Sequence, residues 1–179
     1  NAQDAASTDT AKHWNAGGAF NLNFSQVGLQ NWAGGGQSSI SANSTINAFL
    51  NFKKGKDVWN NSLDIGYGVL KQGEGGSEFR KSDDELTLLT KYTHDLNTHY
   101  NFSGFLDLKT AMTKGYNYYE DDDGNQQKNL IADFMAPGYL IASIGVDYAP
   151  KENIAITLSP LTGKTTFMLN DKLSAQGRY

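Results

Sequence analysis

Residues 39–52 decide the fold: Ser39-Ile40-Ser41-Ala42-Asn43-Ser44-Thr45-Ile46-Asn47-Ala48-Phe49-Leu50-Asn51-Phe52. Six of the seven even-numbered positions are apolar, and six of the seven odd-numbered positions are polar. Successive side chains of a β-strand point to opposite faces, whereas an α-helix would mix the two sets. The stretch therefore predicts a strand with one apolar face and one polar face.

The same alternation recurs along the chain. It predicts further strands at residues 20–24, 59–69, 86–96, 100–112, 140–148 and 154–158, with a weaker eighth at 165–169. Short turns at residues 53–57, 97–99 and 150–152 alternate with long loops at 28–38, 71–83 and 114–137. Short turns on one side and long loops on the other are typical of outer-membrane barrels. We predict an all-β, antiparallel up-and-down transmembrane β-barrel over residues 14–179, with about eight strands, after a flexible segment at 1–13.

The parity of the apolar positions predicts how two hairpins pair, because a shift by one residue would exchange the faces. Opposing Phe52 to Trp59 leaves Gly55-Lys56 as a two-residue loop, and Gly followed by any residue suits a type II′ turn. The same register sets Ile46 beside Ile65 and Asn47 beside Asp64. In the next hairpin, Leu96 faces Tyr100 across the loop Asn97-Thr98-His99.

The polar face carries charges of both signs, which suits a wet or salt-bridged lumen. The second hairpin register sets Lys109 opposite Thr87 and diagonal to Glu85, and it sets Lys91 diagonal to Asp107, within cross-strand reach. The predicted lumen-facing polar residues are Asn47, Asp64, Glu85, Lys91, Asp107, Lys109 and Asp147.

Aromatic residues cluster near the ends of the predicted strands, as they do at membrane–water interfaces. The predicted interface aromatics are Trp32, Phe52, Trp59, Tyr92, Tyr100 and Tyr148. Tyr116, Tyr118 and Tyr119 lie in the longest loop, which makes them candidates for an extracellular contact surface. A soluble lipocalin-like barrel, with the apolar face lining a ligand pocket, shows the same alternation and stays open as an alternative.

Composition and motifs argue against an enzyme. The chain has no cysteine and a net charge of −4, so a thiolate site and a nucleic-acid partner are both disfavoured. Asp121-Asp122-Asp123-Gly124 lacks the other EF-hand ligands and is interpreted as an acidic loop tip, and the Lys164 region lacks the first glycine of a phosphate loop. His94 could serve an outer-membrane hydrolase, but no serine is predicted opposite it. We expect no catalytic residues, no cofactor and no bound metal.

Several stretches resemble an uncharacterised family of Bacteroidota envelope proteins known only as a domain of unknown function. They are Phe20-Asn21-Leu22-Asn23-Phe24-Ser25-Gln26-Val27, Asn31-Trp32-Ala33-Gly34-Gly35-Gly36, Lys53-Lys54-Gly55-Lys56 with Trp59 and Asn61, Asp64, Tyr67-Gly68, Lys81-Ser82-Asp83-Asp84, and Leu158-Ser159-Pro160-Leu161-Thr162-Gly163-Lys164. The resemblance implies a β-barrel in the outer membrane with no catalytic residues. It also implies further strands beyond Tyr179, so we expect part of a larger barrel, with a complete eight-stranded barrel as the alternative.

These expectations combine into one functional hypothesis. We expect a non-catalytic barrel in the outer membrane of a Gram-negative bacterium, acting as a scaffold or partner subunit of an envelope assembly or as a narrow, porin-like channel. Its expected partners are outer-membrane lipid, lipopolysaccharide and other outer-membrane proteins, and not nucleic acid. The soluble ligand-binding barrel and the barrel hydrolase are the two alternatives.

Overall fold

The chain folds into an antiparallel, all-β structure in the computed structural model, which describes residues 13–29, 34, 36–73, 78–151 and 153–177. Seven strands form one sheet in the order β1-β2-β3-β4-β5-β8-β9, and β6 pairs with β7 in a separate hairpin. The elements are β1 Trp14–Val27, β2 Ser39–Lys54, β3 Asp57–Gln72, β4 Arg80–Asp95, β5 Tyr100–Thr110, β6 Gly115–Glu120, β7 Gln126–Ala132, β8 Gly138–Lys151, β9 Ile154–Phe167 and α1 Asp171–Ser174.

The predicted antiparallel, all-β class is confirmed. Every neighbouring pair in the large sheet is antiparallel, and the three short turns lie at one end of the sheet while the long connections lie at the other. In the described residues, β1 and β9 are the two edges and do not pair with each other, so the described sheet is open. None of the described helices has the length or apolarity needed to cross a bilayer.

Both predicted hairpin registers are confirmed. Phe52 pairs with Trp59, Ile46 with Ile65 and Asn47 with Asp64. Gly55 has a φ of 58°, as the first central position of a type II′ turn requires. At the second hairpin, the backbone N–H of Leu96 donates to the carbonyl of Tyr100 at 3.0 Å, which closes the loop at residues 97–99.

The sequence predicts about eight strands in one wall, but the large sheet of the described residues has seven, because the last two predicted strands form one. Residues 154–158 and 165–169 were predicted as separate strands, but β9 is one continuous strand from Ile154 to Phe167. At a register shift, Gly145 faces both Ser159 and Pro160, so β9 carries one extra residue there. Proline has no N–H to donate and is accommodated at edges and bulges. Before the bulge, the apolar side chains of β9 are at even positions such as Leu158, and after it they are at odd positions such as Leu161. The alternation is therefore interrupted, and the sequence predicts two strands where there is one.

Gly145 is the residue that lets β8 pass this bulge. A Cβ atom added there would lie 2.4 Å from the carbonyl oxygen of Leu158 and 2.8 Å from the Cα of Ser159. We expect Gly145→Ala to lower the free energy of unfolding by about 1–3 kcal/mol, because backbone atoms would have to move. Urea titration of the refolded protein measures this, and Gly163→Ala is the control because a Cβ there meets nothing within 4 Å. Equal stability of the two variants would contradict the close approach.

The connection predicted as a loop at residues 114–137 contains a hairpin, β6–β7. Its turn spans residues 121–125, where Gly124 has a φ of 78° and Asp121 accepts a hydrogen bond from the backbone N–H of Asn125 at 2.7 Å. The side-chain amide of Gln127, together with that N–H, lowers the pKa of the Asp121 carboxyl below its usual value. The acidic segment is therefore an exposed turn. The Asp121 carboxylate accepts hydrogen bonds that close this turn, which explains why an aspartate is present at position 121.

The large sheet has no hydrophobic core of its own. Among the described residues, the buried hydrophobic side chains are Ala136 and Leu173, and both lie at the long-loop end rather than on the sheet. Leu173 lies in α1, whose first turn is capped by the Asn170 side chain, and the Asn170 amide also donates to Asp133 at 2.9 Å. The many apolar side chains of the sheet are therefore exposed, and what covers them becomes the functional question.

Candidate functional site

The register divides the large sheet into two chemically different faces, because directly paired residues lie on the same face. One face carries the residues predicted for the apolar side of the strands, and we call it the apolar face. The other, the polar face, carries all seven residues predicted to face a lumen: Asn47, Asp64, Glu85, Lys91, Asp107, Lys109 and Asp147. The candidate site is therefore the two faces of the large sheet, an extended surface rather than a cleft.

Asp147 is the centre of the strongest network on the polar face. It is only 8% exposed, and its carboxylate accepts from the Lys91 Nζ at 2.8 Å, the Thr157 Oγ1 at 2.7 Å and the Ser103 Oγ at 3.1 Å. Lys91 lies on β4 and Asp147 on β8, with β5 between them. Contact between side chains two strands apart is favoured when the sheet curves toward the face that carries them.

Both predicted diagonal placements are confirmed, but only one of them forms an ion pair. The Lys109 Nζ lies 2.8 Å from Glu85, as the diagonal register predicts. Lys91 does not bind Asp107 but joins the largely buried network around Asp147, where two hydroxyl groups also donate to the carboxylate. The Oδ1 atom of Asp107 is buried and has no hydrogen-bond partner in the described residues.

On the inner strands β4 and β8, the apolar face is the more exposed of the two. On β8, between residues 139 and 148, the exposed residues are Ala142, Ile144 and Val146, and all three belong to the apolar face. On β4, between residues 83 and 95, the exposed residues are Leu88 and Tyr92, again on the apolar face. Polar-face residues of these stretches are half-buried or buried. This distribution is that of a sheet whose polar face is concave and whose apolar face is convex.

Aromatic side chains collect at the short-turn end of the apolar face. Five of the six predicted interface aromatics lie there: Phe52, Trp59, Tyr92, Tyr100 and Tyr148. The Tyr100 and Tyr148 rings stack with centroids 4.8 Å apart, and Trp14 lies 4.9 Å from Phe52 and 6.2 Å from Trp59. Trp32 lies outside the described residues.

A hydrogen-bonded cluster next to these aromatics was missed from the sequence. One oxygen of Asp57 accepts from the Tyr92 hydroxyl at 2.5 Å and contacts the His94 Nδ1 at 2.7 Å. Parity places Asp57 and His94 on the same face, but the long connection between β3 and β4 leaves their register open, and only the structure sets the two residues opposite each other. On the neighbouring strand β5, the residue paired with His94 is Phe102. In the described residues, no serine or threonine hydroxyl is hydrogen-bonded to His94.

A groove crosses the apolar face above Gly104, where the absence of a side chain leaves a depression. Its volume is about 650 Å³, and its walls include Trp59, Tyr92, Leu106, Ile144 and Leu161. The polar atoms of the walls already have partners, since the Trp59 Nε1 donates to the Thr90 Oγ1 at 2.6 Å and Tyr92 donates to Asp57. The groove therefore presents almost only apolar surface.

The β6–β7 hairpin projects from the long-loop end and carries the three tyrosines predicted as a contact surface. The Arg80 guanidinium lies 4.3 Å from the Tyr118 ring centroid, and the Lys128 Nζ lies 5.2 Å from that of Tyr116. Tyr119 is 52% exposed. Of the three, Tyr119 is therefore the side chain that a partner could reach with least rearrangement.

Asp84 anchors this hairpin to the large sheet. Its carboxylate accepts from the backbone N–H of Met112 at 2.8 Å and of Thr113 at 2.9 Å, and it forms an ion pair with Lys81. These bonds fix the segment that leads from β5 into β6. A carboxylate that accepts several backbone N–H bonds in this way is a structural anchor.

We expect Asp84→Ala to release the hairpin, because the N–H groups of Met112 and Thr113 lose their acceptor. Limited trypsin digestion should then cut at Lys114 or Lys128 several-fold faster than in the unmodified protein. Asp122→Ala, at the exposed hairpin turn, is the matched control and should leave the cleavage rate unchanged. If Asp84→Ala resists trypsin as well as the control does, the carboxylate is not what holds the hairpin.

No metal centre is evident in the part of the chain that the structure describes, where no three His, Asp or Glu side chains come together as ligands. Comparison with known proteins gives one match. A family model described as "Protein of unknown function (DUF3078)" matches residues 24–116, just over half of the chain, which includes β2 to β5. No curated protein and no solved structure matches the chain.

Proposed function

Because this chain belongs to a family of proteins of unknown function (DUF3078), whose description supplies no activity, we propose a function from the geometry alone. We propose that it forms part of a non-catalytic β-barrel in the outer membrane of a Gram-negative bacterium. Its role there is that of a scaffold or partner subunit of an envelope assembly, with a narrow channel as the second form of the same proposal.

The exposure of the apolar face is the observation that carries this proposal. Phe20, Leu22 and Phe24 are 65–68% exposed, and Ile46 and Ile144 remain 41% and 46% exposed although their strands have neighbours on both sides. Burying apolar surface is the main driving force of folding in water, so a sheet that turns this face outward needs an apolar solvent. A bilayer supplies that solvent, while the concave polar face remains in contact with water.

The apolar band has the height that a bilayer requires. Trp59 and Val69 lie ten residues apart on β3, about 33 Å along the strand at roughly 3.3 Å per residue. At a strand tilt of about 35–45°, this length spans about 23–27 Å across the membrane, close to the apolar band of ~25 Å seen in outer-membrane barrels. The aromatic cluster that includes Trp59 then lies at one interface, as girdles do.

Closing the barrel requires strands beyond the seven of the described sheet. β1 and β9 both run from the short-turn end to the long-loop end, so they could pair with each other only in parallel. Outer-membrane barrels of bacteria are antiparallel with even strand numbers, and unpaired edges are not tolerated in lipid. We propose that an odd number of further strands completes the wall.

The polar face favours a scaffold over a wide pore. Ion pairs from Lys91 to Asp147 and from Lys109 to Glu85 cross the concave face, and a barrel of about eight strands leaves an interior filled by side chains. The ordered β6–β7 hairpin on the long-loop side provides a surface with which another envelope protein could associate. A closing segment of many strands would instead favour the channel.

Fractionation of the full-length protein from its native membranes tests the proposal. We expect recovery with the outer membrane, a requirement for detergent, and a gel mobility that changes on boiling, because closed lipid-embedded barrels resist cold detergent. Conductance across liposomes then separates channel from scaffold. Recovery in the soluble fraction, with no change on boiling, would contradict the proposal and would favour a soluble barrel whose apolar face binds a ligand.

A further inference from the structure

We propose that the groove above Gly104 is a binding site for one acyl chain of an anionic phospholipid, with its phosphate at the short-turn end of the sheet. This inference rests on the proposed membrane location and goes beyond it, because it assigns a specific lipid to a specific place. A barrel wall is ordinarily covered by exchanging lipids, so a selective site needs both a shaped apolar cavity and a charged rim.

The shape of the cavity comes from small residues between large ones. Gly104 and Ala142 form its floor, and a Cβ added to Gly104 would meet nothing within 4 Å. Trp59 and Tyr92 rise on one side, and Ile144 and Leu161 on the other. At about 650 Å³, the groove falls within the ~300–1,000 Å³ of sites that bind small ligands.

The aromatic wall is held in place before any ligand binds. The Asp57 carboxylate holds the Tyr92 hydroxyl, and the Trp59 indole N–H donates to Thr90, whose hydroxyl in turn donates to Asn61 at 2.6 Å. These polar atoms already have hydrogen-bond partners within the protein, so they are not available to form hydrogen bonds with a ligand. A preorganised, apolar trough of this kind fits a hydrocarbon chain.

The charge at the short-turn end selects an anionic headgroup. Lys54 and Lys56 are exposed at the β2–β3 turn, and Lys54 lies on the apolar face, two residue pairs beyond the Phe52–Trp59 row that borders the groove. The nearest acid in the turn, Asp57, is already engaged by Tyr92 and His94. Lysines near a membrane surface attract anionic lipids, so the turn would hold a phosphate above the chain lying in the groove.

Quenching of Trp59 fluorescence by brominated lipids tests this site directly. The variant carries Trp14→Phe and Trp32→Phe, so that Trp59 is the one remaining tryptophan. The full chain is reconstituted in phosphatidylcholine vesicles that contain either brominated phosphatidylglycerol or brominated phosphatidylcholine. We expect phosphatidylglycerol to reach half-maximal quenching at a mole fraction about tenfold lower, as a few surface lysines would produce.

Variants of the groove and of the rim should remove this preference by different routes. Gly104→Leu fills the groove and should make the two lipids equivalent, whereas Ala42→Leu adds a leucine to the apolar face of β2, away from the groove. Lys54→Gln with Lys56→Gln should reduce the preference several-fold, while Lys128→Gln, on the distant hairpin, should not.

The failure of this inference is distinguishable from failure of the proposed function. Equal quenching by both lipids in the Trp59 variant, or a preference that survives Gly104→Leu, would overturn the site and leave the membrane location standing. The absence of quenching by either lipid would mean that Trp59 does not face lipid, and it would overturn both. Loss of the preference in Ala42→Leu would show that general distortion of the sheet, rather than filling of the groove, is responsible, and it would overturn the site.

Discussion

Leu88→Arg is expected to destabilise the protein in lipid vesicles by about 2–4 kcal/mol, the cost of a charged side chain at the middle of the lipid face of a barrel. Leu88 lies on β4 between Leu63 and Leu108 on the apolar face, far from both ends of the strand, and it is 36% exposed. An arginine there cannot reach either interface without distorting the wall. Urea unfolding of the reconstituted protein measures the change.

The neighbouring residue provides a matched control, because Leu89 points to the other face. It lies directly opposite Asp107, whose buried Oδ1 has no hydrogen-bond partner in the described residues. Leu89→Arg therefore adds the same charge on the same strand but brings it to a carboxylate, and we expect a change of less than about 1 kcal/mol. Equal destabilisation by the two substitutions would contradict the assignment of the faces.

Lys91→Met is expected to lower the free energy of unfolding by about 2 kcal/mol, because it leaves the Asp147 carboxylate without its cation. The estimate is below the value for a fully buried pair, since 35% of the Lys91 side chain and 11% of the Asp147 side chain are exposed. The Ser103 and Thr157 hydroxyls still donate to Asp147 in the variant. Adding Asp147→Asn should recover most of the loss, because the remaining group is then neutral.

Lys109→Met tests whether this effect depends on burial. Lys109 and Glu85 form a pair of the same length, 2.8 Å, but their side chains are 55% and 45% exposed. A solvated pair of this kind contributes about 0–1 kcal/mol. If Lys109→Met costs as much as Lys91→Met, or if Asp147→Asn fails to rescue the latter, the Asp147 network does not stabilise the sheet as described.

The alternation of apolar and polar residues predicted the sheet because it gives the face of each side chain and the register of a tight hairpin, and both depend only on residues that are close in the sequence. Alternation assigns each side chain to a face, and a tight turn such as Gly55-Lys56 then fixes the register without any knowledge of distant contacts. The pairings of Phe52 with Trp59 and of Lys109 with Thr87 follow from parity and the two short turns, and both are present. This reasoning fails where parity changes, as at the bulge near Pro160.

Contacts that depend on curvature could not be predicted from the sequence. Lys91 binds Asp147 across β5 instead of Asp107 on the adjacent strand. The curvature of the sheet toward its polar face brings these two side chains together, and the alternation of residues does not reveal that curvature. The groove above Gly104 likewise depends on how far side chains from five strands, β3, β4, β5, β8 and β9, rise above the sheet. The β6–β7 hairpin was missed because its tyrosines and polar residues show no alternation over a sufficient length.

The central claim is that the apolar face lies in lipid, and collision measurements with spin labels on β8 test it most directly. The sequence has no cysteine, so single cysteines at positions 140–144 and 146 each give a unique labelling site, and position 145 is left as glycine. In vesicles, we predict high accessibility to oxygen and low accessibility to an aqueous nickel complex at residues 140, 142, 144 and 146, with the opposite at 141 and 143. Protection of the apolar positions from both reagents would contradict the account, because the apolar face would then be packed inside a soluble barrel.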